Sequence, residues 1–157
     1  MPKFYTSQMF RIELCPWESA REHATRIRFA VFVEEQQVPE EIELDADDAT
    51  SLHALARDAD DGVVGTGRLL PAEAAGDRRV SHIGRMAVLA PWRGRGVGSA
   101  ILRALVGAAR SRGDTDIVLA AQRHAIGFYR AHRFAAEGEE FLEAGIVHRL
   151  MRLPLRA

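Results

Sequence analysis

The run Arg93-Gly94-Arg95-Gly96-Val97-Gly98-Ser99 has residue types and spacing suited to holding a phosphate. Glycines let backbone N–H groups approach an anion closely, and a helix starting there adds about half a positive charge at its N-terminus. Arg93 and Arg95 bring full charges beside it. The apolar stretch Met86-Ala87-Val88-Leu89 leads into the loop, and Val97, Ile101, Leu105 and Ala109 follow at four-residue spacing. A strand therefore delivers the loop and an amphipathic helix leaves it.

Two common phosphate loops are excluded by spacing. A Walker loop ends in Gly-Lys-Ser/Thr, and Lys3 is the sole lysine of the chain. The dinucleotide fingerprint Gly-x-Gly-x-x-Gly fails because the glycines stand at 94, 96 and 98, with Ser99 in the third slot.

The elements around the loop follow from periodicity. Phe10, Ile12 and Leu14 alternate with Arg11 and Glu13, which predicts a first strand ended by Pro16. Ala20, Ala24, Ile27 and Val31 predict a helix from Trp17 to about Gln36. Glu34, Glu35, Glu40, Glu41, Glu43, Asp45, Asp47 and Asp48 then form an acidic segment read as a loop. Residues 51–57 and 63–70 read as a hairpin around the Asp61-Gly62 turn, and residues 80–89 as a third strand of the meander. Gly113 can end the helix after the loop. The apolar run from Ile117 to Ala121 predicts a central strand, followed by a short helix from about His124 to His132. Strands near 134–137 and 147–153 close the chain. The order βα-βββ-αβα-ββ gives an α/β (α+β) class with a mixed sheet of about six or seven strands and helices on both faces.

Composition narrows the partners. The 157 residues fit a single domain spanning 1–157, and 47% hydrophobic with 27% charged residues is ordinary for a globular protein. A net charge of −1 recommends neither nucleic acid nor an anionic membrane. Cys15, the lone cysteine, excludes an internal disulfide and a cysteine-built zinc site, and no metal is expected. It reads as a small hydrophobe beside a strand. With no signal-peptide core and no membrane span, a cytoplasmic location is expected. Soluble homo-oligomers are most often dimers, so a homodimer is the oligomer to expect.

Arg93-x-x-Gly96-x-Gly98 between a strand and a helix resembles the acetyl-coenzyme A signature of the GNAT superfamily of N-acetyltransferases. Gln122-x-x-Ala125-x-x-Phe128-Tyr129 is similar to that superfamily's second motif, usually Asn-x-x-Ala-x-x-Phe/Leu-Tyr before Gly-Phe. Arg28-x-x-Val31-Phe32-Val33-x-Glu35-Gln36-x-Val38-Pro39, Glu43-x-Asp45-x-x-Asp48, His53 and Gly145-Ile146-x-His148-x-x-Met151 resemble its ElaA-like branch. The first half also resembles acyl-homoserine lactone synthases, which share the fold but generally lack a clear Arg-x-x-Gly-x-Gly loop.

The resemblance implies a mostly antiparallel sheet with a splayed strand pair that binds acetyl-coenzyme A as co-substrate. Met86, Ala87 and Val88 would face the pantetheine arm, with an N–H of Val88 or its neighbour stabilising the oxyanion. Residues Arg93 to Ser99 would carry the pyrophosphate, and Gln122 and Phe128 would complete the cofactor site. Tyr129 stands where the superfamily places a general acid for the departing thiolate. The acceptor implied is a small-molecule or peptide amine. An alkylamine is neutral in only about one molecule in a thousand at pH 7, so a base is needed. Many relatives carry a glutamate where this chain has Gly84 in Ile83-Gly84-Arg85-Met86-Ala87-Val88. The candidate bases are His53, His82, His148 and Glu35. The lost carboxylate also leaves open a non-catalytic coenzyme A sensor. Two further departures are Gln122 for asparagine and Arg133 before Phe134 for glycine; arginine there implies a different turn, or a cost of roughly 1 kcal/mol if a left-handed cap is kept.

Overall fold

The computed structural model describes residues 9–40 and 45–155. Strand β1 (Phe10–Pro16) passes into helix α1 (Trp17–Arg28), which continues as a π-helical segment over Phe29–Glu35. A 3-10 turn (Ala46–Thr50) leads to β2 (Leu52–Asp58) and β3 (Val63–Leu69), then to the short β4 (Glu73–Ala75) and the long β5 (Arg78–Val88). Helix α2 (Val97–Ser111), β6 (Asp116–Gln122), α3 (Ile126–Ala131), β7 (Ala135–Glu143) and β8 (Ile146–Pro154) complete the order.

The strands form one eight-stranded sheet in the order β1-β2-β3-β5-β6-β8-β7, with β4 paired to β5 off this path. All pairings are antiparallel except β5 with β6. Strand alternation sorts the core into two layers. Ala54, Ala56, Val64, Ile117 and Leu119 join the buried stripe Val97, Ile101, Leu105 and Ala109 of α2. Leu55, Val63 and Ala87 join Ala20, Ala24 and Ile27 of α1, together with Cys15. Helices therefore cover both faces. Among the described residues no helix is long and apolar enough to cross a membrane.

Helix α2 lies close to β3 because β3 carries glycine where it crosses. A Cβ on Gly67 would stand 2.6 Å from Met86 Sδ and 3.0 Å from Ile101 Cγ2; one on Gly65 would stand 3.0 Å from Ile101 Cδ1. This close approach sets the start of α2 beside the end of β5.

The parallel tie between β5 and β6 is short. It pairs Val80, Ser81 and His82 with Asp116, Ile117 and Val118 and goes no further. Its base is fastened by polar groups: Thr115 N–H donates to the Arg79 carbonyl at 2.8 Å, and buried Asp116 accepts from Arg78 Nε and Thr115 Oγ1, each at 2.7 Å. Beyond His82 the strands separate, β5 following β3 and β6 following β8. A bulge sharpens the departure. Thr66 pairs with Ala87 and Arg68 with Gly84, so β5 has one residue more than β3 there, and Arg85 takes a left-handed φ of 51°.

Three expectations need correction. The helix from Trp17 to Gln36 changes pitch at Phe29, where Gln36 N–H reaches back five residues to the Val31 carbonyl at 3.2 Å. Apolar spacing alone does not register that change. The sheet has one strand more than expected, because β4 is three exposed residues with no apolar pattern. The acidic segment is more than a loop, with Glu34 and Glu35 in the π-helical segment and Asp47 and Asp48 in the 3-10 turn. Asp48 is 3% exposed and its carboxylate receives two guanidiniums, while Glu41 and Glu43 lie outside the described residues.

Candidate active site

The separated strands frame a cleft of about 510 Å³. On the β5 side it is lined by His82, Gly84, Arg85 and Met86, and on the β6 side by Leu119, Ala120 and Gln122. Tyr129 and His124 close one end, Asp45, Asp47 and Arg68 another, and Glu143, Ile146 and His148 the β7–β8 side.

The end of β5 shows which backbone groups face the gap. Leu89 N–H donates to the Val64 carbonyl at 2.9 Å. Antiparallel alternation then turns the N–H of Val88 the other way, toward the edge that β6 has left. The Val88 carbonyl accepts from Arg93 Nε at 2.9 Å.

The loop after β5 is a cradle of backbone. A 3-10 turn over Ala90–Trp92 ends in residues 93–96, with Gly94 at φ 74° and Gly96 at φ 85°. Gly96 caps α2 and offers no side chain, and no acidic residue stands in the first turn. The N-terminal N–H groups of a fifteen-residue helix thus face outward without a capping side chain. Their chemistry fits an anion. Gly98 lies against Phe128, where a Cβ would stand 3.5 Å from Cζ, and Ser99 Oγ lies 3.0 Å from His132 Nε2.

The arginines serve this cradle differently than their charge suggests. Arg93 ties the strand end to the π-helical segment, with Nη2 on Glu35 Oε1 at 2.9 Å. Arg95 stacks on Trp92 at 5.1 Å. Glu35, a sequence candidate for a base, is thus an exposed partner of Arg93 and does not line the cleft.

Tyr129 is 8% exposed and packs edge-on against Phe128 and Phe134 at 5.0 and 5.9 Å. Its hydroxyl makes no hydrogen bond among the described residues, and burial pushes its pKa up to about 12. The end of α3 fixes it. Phe134 N–H donates to the Tyr129 carbonyl at 3.1 Å and Arg133 N–H to the Arg130 carbonyl at 2.9 Å, the paired bonds of a Schellman cap. Arg133 occupies the left-handed position at φ 72°. The expectation of a different turn fails here: the cap is kept and the arginine carries the strain.

The histidines separate clearly. His53 is 1% exposed, lies outside the cleft, and has Nε2 2.9 Å from the Asp48 carbonyl with the Trp17 ring tilted against it at 4.8 Å. Burial lowers its pKa, offset in part by that carbonyl. It belongs to the supporting framework, not to the reacting space. His82 is exposed in the cleft. His148 is 7% exposed, with Nδ1 2.7 Å from the Ile146 carbonyl and Nε2 3.7 Å from Glu143 Oε2. It pairs in register with Gln122, whose Nε2 donates to Gln36 Oε1 at 2.9 Å.

One wall was illegible from motif spacing alone. Asp48 takes Arg28 on both oxygens at 2.8 and 3.1 Å and Arg68 at 2.9 Å. Arg68 also grips Asp45 at 2.7 and 2.9 Å, and Arg85 reaches Asp45 at 3.3 Å. The Arg68 hydrogen bond, opposed by burial, holds the Asp45 carboxyl below its ordinary pKa; at Asp48, burial is outweighed by Arg28 and Arg68. His124 and Glu143 also line the cleft although sequence reasoning did not select them. For Glu143 a signal existed: Ala144-Gly145 is a two-residue hairpin turn that brings it beside His148.

Gly84 lines the cleft, and a Cβ there would meet nothing within 4 Å. The position at which the family resemblance leads us to expect a carboxylate is open space.

Comparison with known proteins agrees with this architecture. The chain is 37% identical over 132 residues, 83% of its length and 90% of the relative's, to the protein named uncharacterized N-acetyltransferase YjcF of Bacillus subtilis (strain 168). It is similar to the crystal structure of an acyl-CoA N-acyltransferase from Pseudomonas aeruginosa, with TM-score 0.77 and 30% identity over 91% of this chain and 98% of that one. It also resembles the crystal structure of Escherichia coli ElaA, with TM-score 0.78 and 28% identity over 92% and 99%. Residues 8–134 match the family model described as Acetyltransferase (GNAT) family. With the splayed strands and the glycine cradle in place, the chain belongs to the GNAT family of acetyltransferases.

Proposed function

We propose that the protein transfers an acetyl group from acetyl-coenzyme A to a primary amine of a small molecule or peptide by direct attack on the thioester. The observation that carries this reading is the gap between β5 and β6 opening directly beside the uncapped start of α2. The pyrophosphate of the donor would rest on the N–H groups from Arg93 to Ser99, and the pantetheine arm would run along Met86, Ala87 and Val88 with Gln122 and Phe128 opposite. The N–H of Val88 faces the place where charge develops on the thioester oxygen.

Tyr129 stands at the end of this path. Its hydroxyl, at about 12, is a weaker acid than a thiol at about 8.5, so full proton transfer to a thiolate is uphill by roughly three to four units. Its part is therefore to donate a hydrogen bond to the departing sulfur, which stays available because the phenol remains protonated at neutral pH. Arg93 acts through its side chain on the Val88 carbonyl and Glu35, and so positions the cradle instead of neutralising phosphate alone.

Free-thiol release from acetyl-coenzyme A across a panel of polyamines, arylalkylamines, amino sugars and peptide amines tests the activity, and calorimetry with acetyl-coenzyme A tests the donor site. Thiol release that depends on amine is expected. Binding of acetyl-coenzyme A without turnover of any amine would favour a sensor, and no binding would remove the donor assignment.

A further inference from the structure

An alkylamine acceptor arrives as a cation and must lose a proton, yet the open position at Gly84 supplies no carboxylate. Three histidines line the cleft, His82, His124 and His148, and their surroundings differ. His82 and His124 are exposed, and their rings make no hydrogen bond among the described residues. His148 is fixed. A carbonyl can only accept, so the 2.7 Å contact with Ile146 places a proton on Nδ1. The neutral ring then carries its lone pair on Nε2. Phe141 stacks on the ring at 6.0 Å, and Glu143 Oε2 lies 3.7 Å from Nε2, an ion pair once the ring takes a proton.

We infer that His148 is the catalytic base of the acetyl transfer, taking over at β8 the work of the carboxylate missing from β5, with Glu143 as the positioning residue that partners its protonated form. The inference rests on the proposed acetyl transfer. The substrate ammonium first gives a proton to His148 Nε2, which passes it to solvent. The neutral amine then forms the N–C bond to the thioester carbon as the C=O electron pair moves onto oxygen, and the surplus proton on nitrogen passes to His148 Nε2. That oxygen pair returns as the C–S bond breaks with its electron pair on sulfur, under the Tyr129 hydroxyl, and the thiolate takes the proton of the His148 imidazolium through solvent. Register places His148 opposite Gln122, at the mouth of the gap between β5 and β6. The other titratable or charged groups around the cleft are His82 and Arg85 on β5, Arg68 on β3, Asp45 and Asp47 at the 3-10 turn before β2, His124 in the 3-10 turn before α3, Tyr129 on α3, and Glu143 on β7. Of these, Asp45 and Arg68 are engaged with each other, and Arg85 reaches Asp45.

The test uses the full chain, acetyl-coenzyme A and whichever panel amine turns over fastest. His148→Asn keeps an amide donor for the Ile146 carbonyl but has no base; kcat is expected to fall at least about a hundredfold, the contribution of a positioned base. Calorimetric affinity for coenzyme A should stay within twofold, and the acidic limb of the kcat–pH profile should disappear. Gly84→Glu added to His148→Asn should restore at least tenfold of the loss and move the limb to lower pH. Long-range proton–nitrogen spectra of the histidine rings should show His148 in the Nδ1–H tautomer. If the wild type turns over an amine and His148→Asn matches it in kcat and pH profile, or the ring is found as Nε2–H, His148 is not the base while the acetyltransferase reading stands. If the wild type acetylates nothing, both fall together.

Discussion

The two flanks of the cleft are built from different materials. The proposed donor flank, from Val88 through the start of α2, is main chain: left-handed glycines, a helix end without a capping side chain, and an N–H turned into the gap. The proposed acceptor flank is side chain: Arg28, Asp48, Arg68 and Asp45 linked by hydrogen bonds of 2.7 to 3.1 Å, with His148 anchored opposite. Backbone donors suit a ligand whose anion is always the same. Side chains can be exchanged without disturbing the strands, which suits the part of the reaction where acceptors differ.

Asp48→Ala should have the largest effect, because it leaves two buried guanidiniums without their shared carboxylate. Loss of about 3–5 kcal/mol in urea unfolding is expected for breaking such a buried pair. A loss below about 1 kcal/mol would mean that packing, not charge, holds the acceptor flank. The same network sets the acid limit. Asp45 and Asp48 have folded pKa values below their ordinary values, so the unfolded chain binds more protons, and stability present above about pH 4 is lost as pH falls below it. His53 acts in the same direction, its lowered pKa costing stability as pH falls below about 6.5. Thermal melts from pH 7 downward should show Tm falling in two stages, and Asp48→Ala should lose most of the lower one.

On the donor side the effects should be smaller and should appear in binding. On the proposed mechanism Tyr129→Phe removes one hydrogen bond to a charged sulfur, and it is expected to lower kcat about 10- to 100-fold with acetyl-coenzyme A affinity unchanged. A parallel fall in affinity would show that the ring, not the hydroxyl, matters. Gly96→Ala puts a Cβ at φ 85°, a strain of about 1–2 kcal/mol that should weaken acetyl-coenzyme A by roughly tenfold in calorimetry while sparing the acceptor KM. Arg133→Gly is the smallest change. Relief of its left-handed strain, less the added chain entropy, should raise stability by about 0.5–1 kcal/mol in urea melts.

The donor flank was legible in sequence because its instructions are local. Glycines two apart, an apolar strand before them and a four-residue stripe after them specify a strand, loop and helix without distant help. The gap was implied by resemblance to a family, since no residue after His82 announces that β6 departs there. The acceptor flank was not legible as a structure. Asp48 and Arg68 stand twenty residues apart and Gln36 and Gln122 eighty-six, so only folding reveals that they touch. Histidine candidates divided for the same reason: His53 and His148 look alike in sequence, but β2 carries one into the framework and β8 brings the other to the cleft.

The brevity of the β5–β6 tie reaches beyond the gap it opens. Three residue pairs join a block of β1, β2, β3, β4 and β5 to a block of β6, β8 and β7, with Arg78, Arg79, Thr115 and Asp116 acting as rivets at its foot. The cleft therefore lies along a tie of three residue pairs, and the apolar cluster around α2, which takes residues from both blocks, carries the rest of the connection between them.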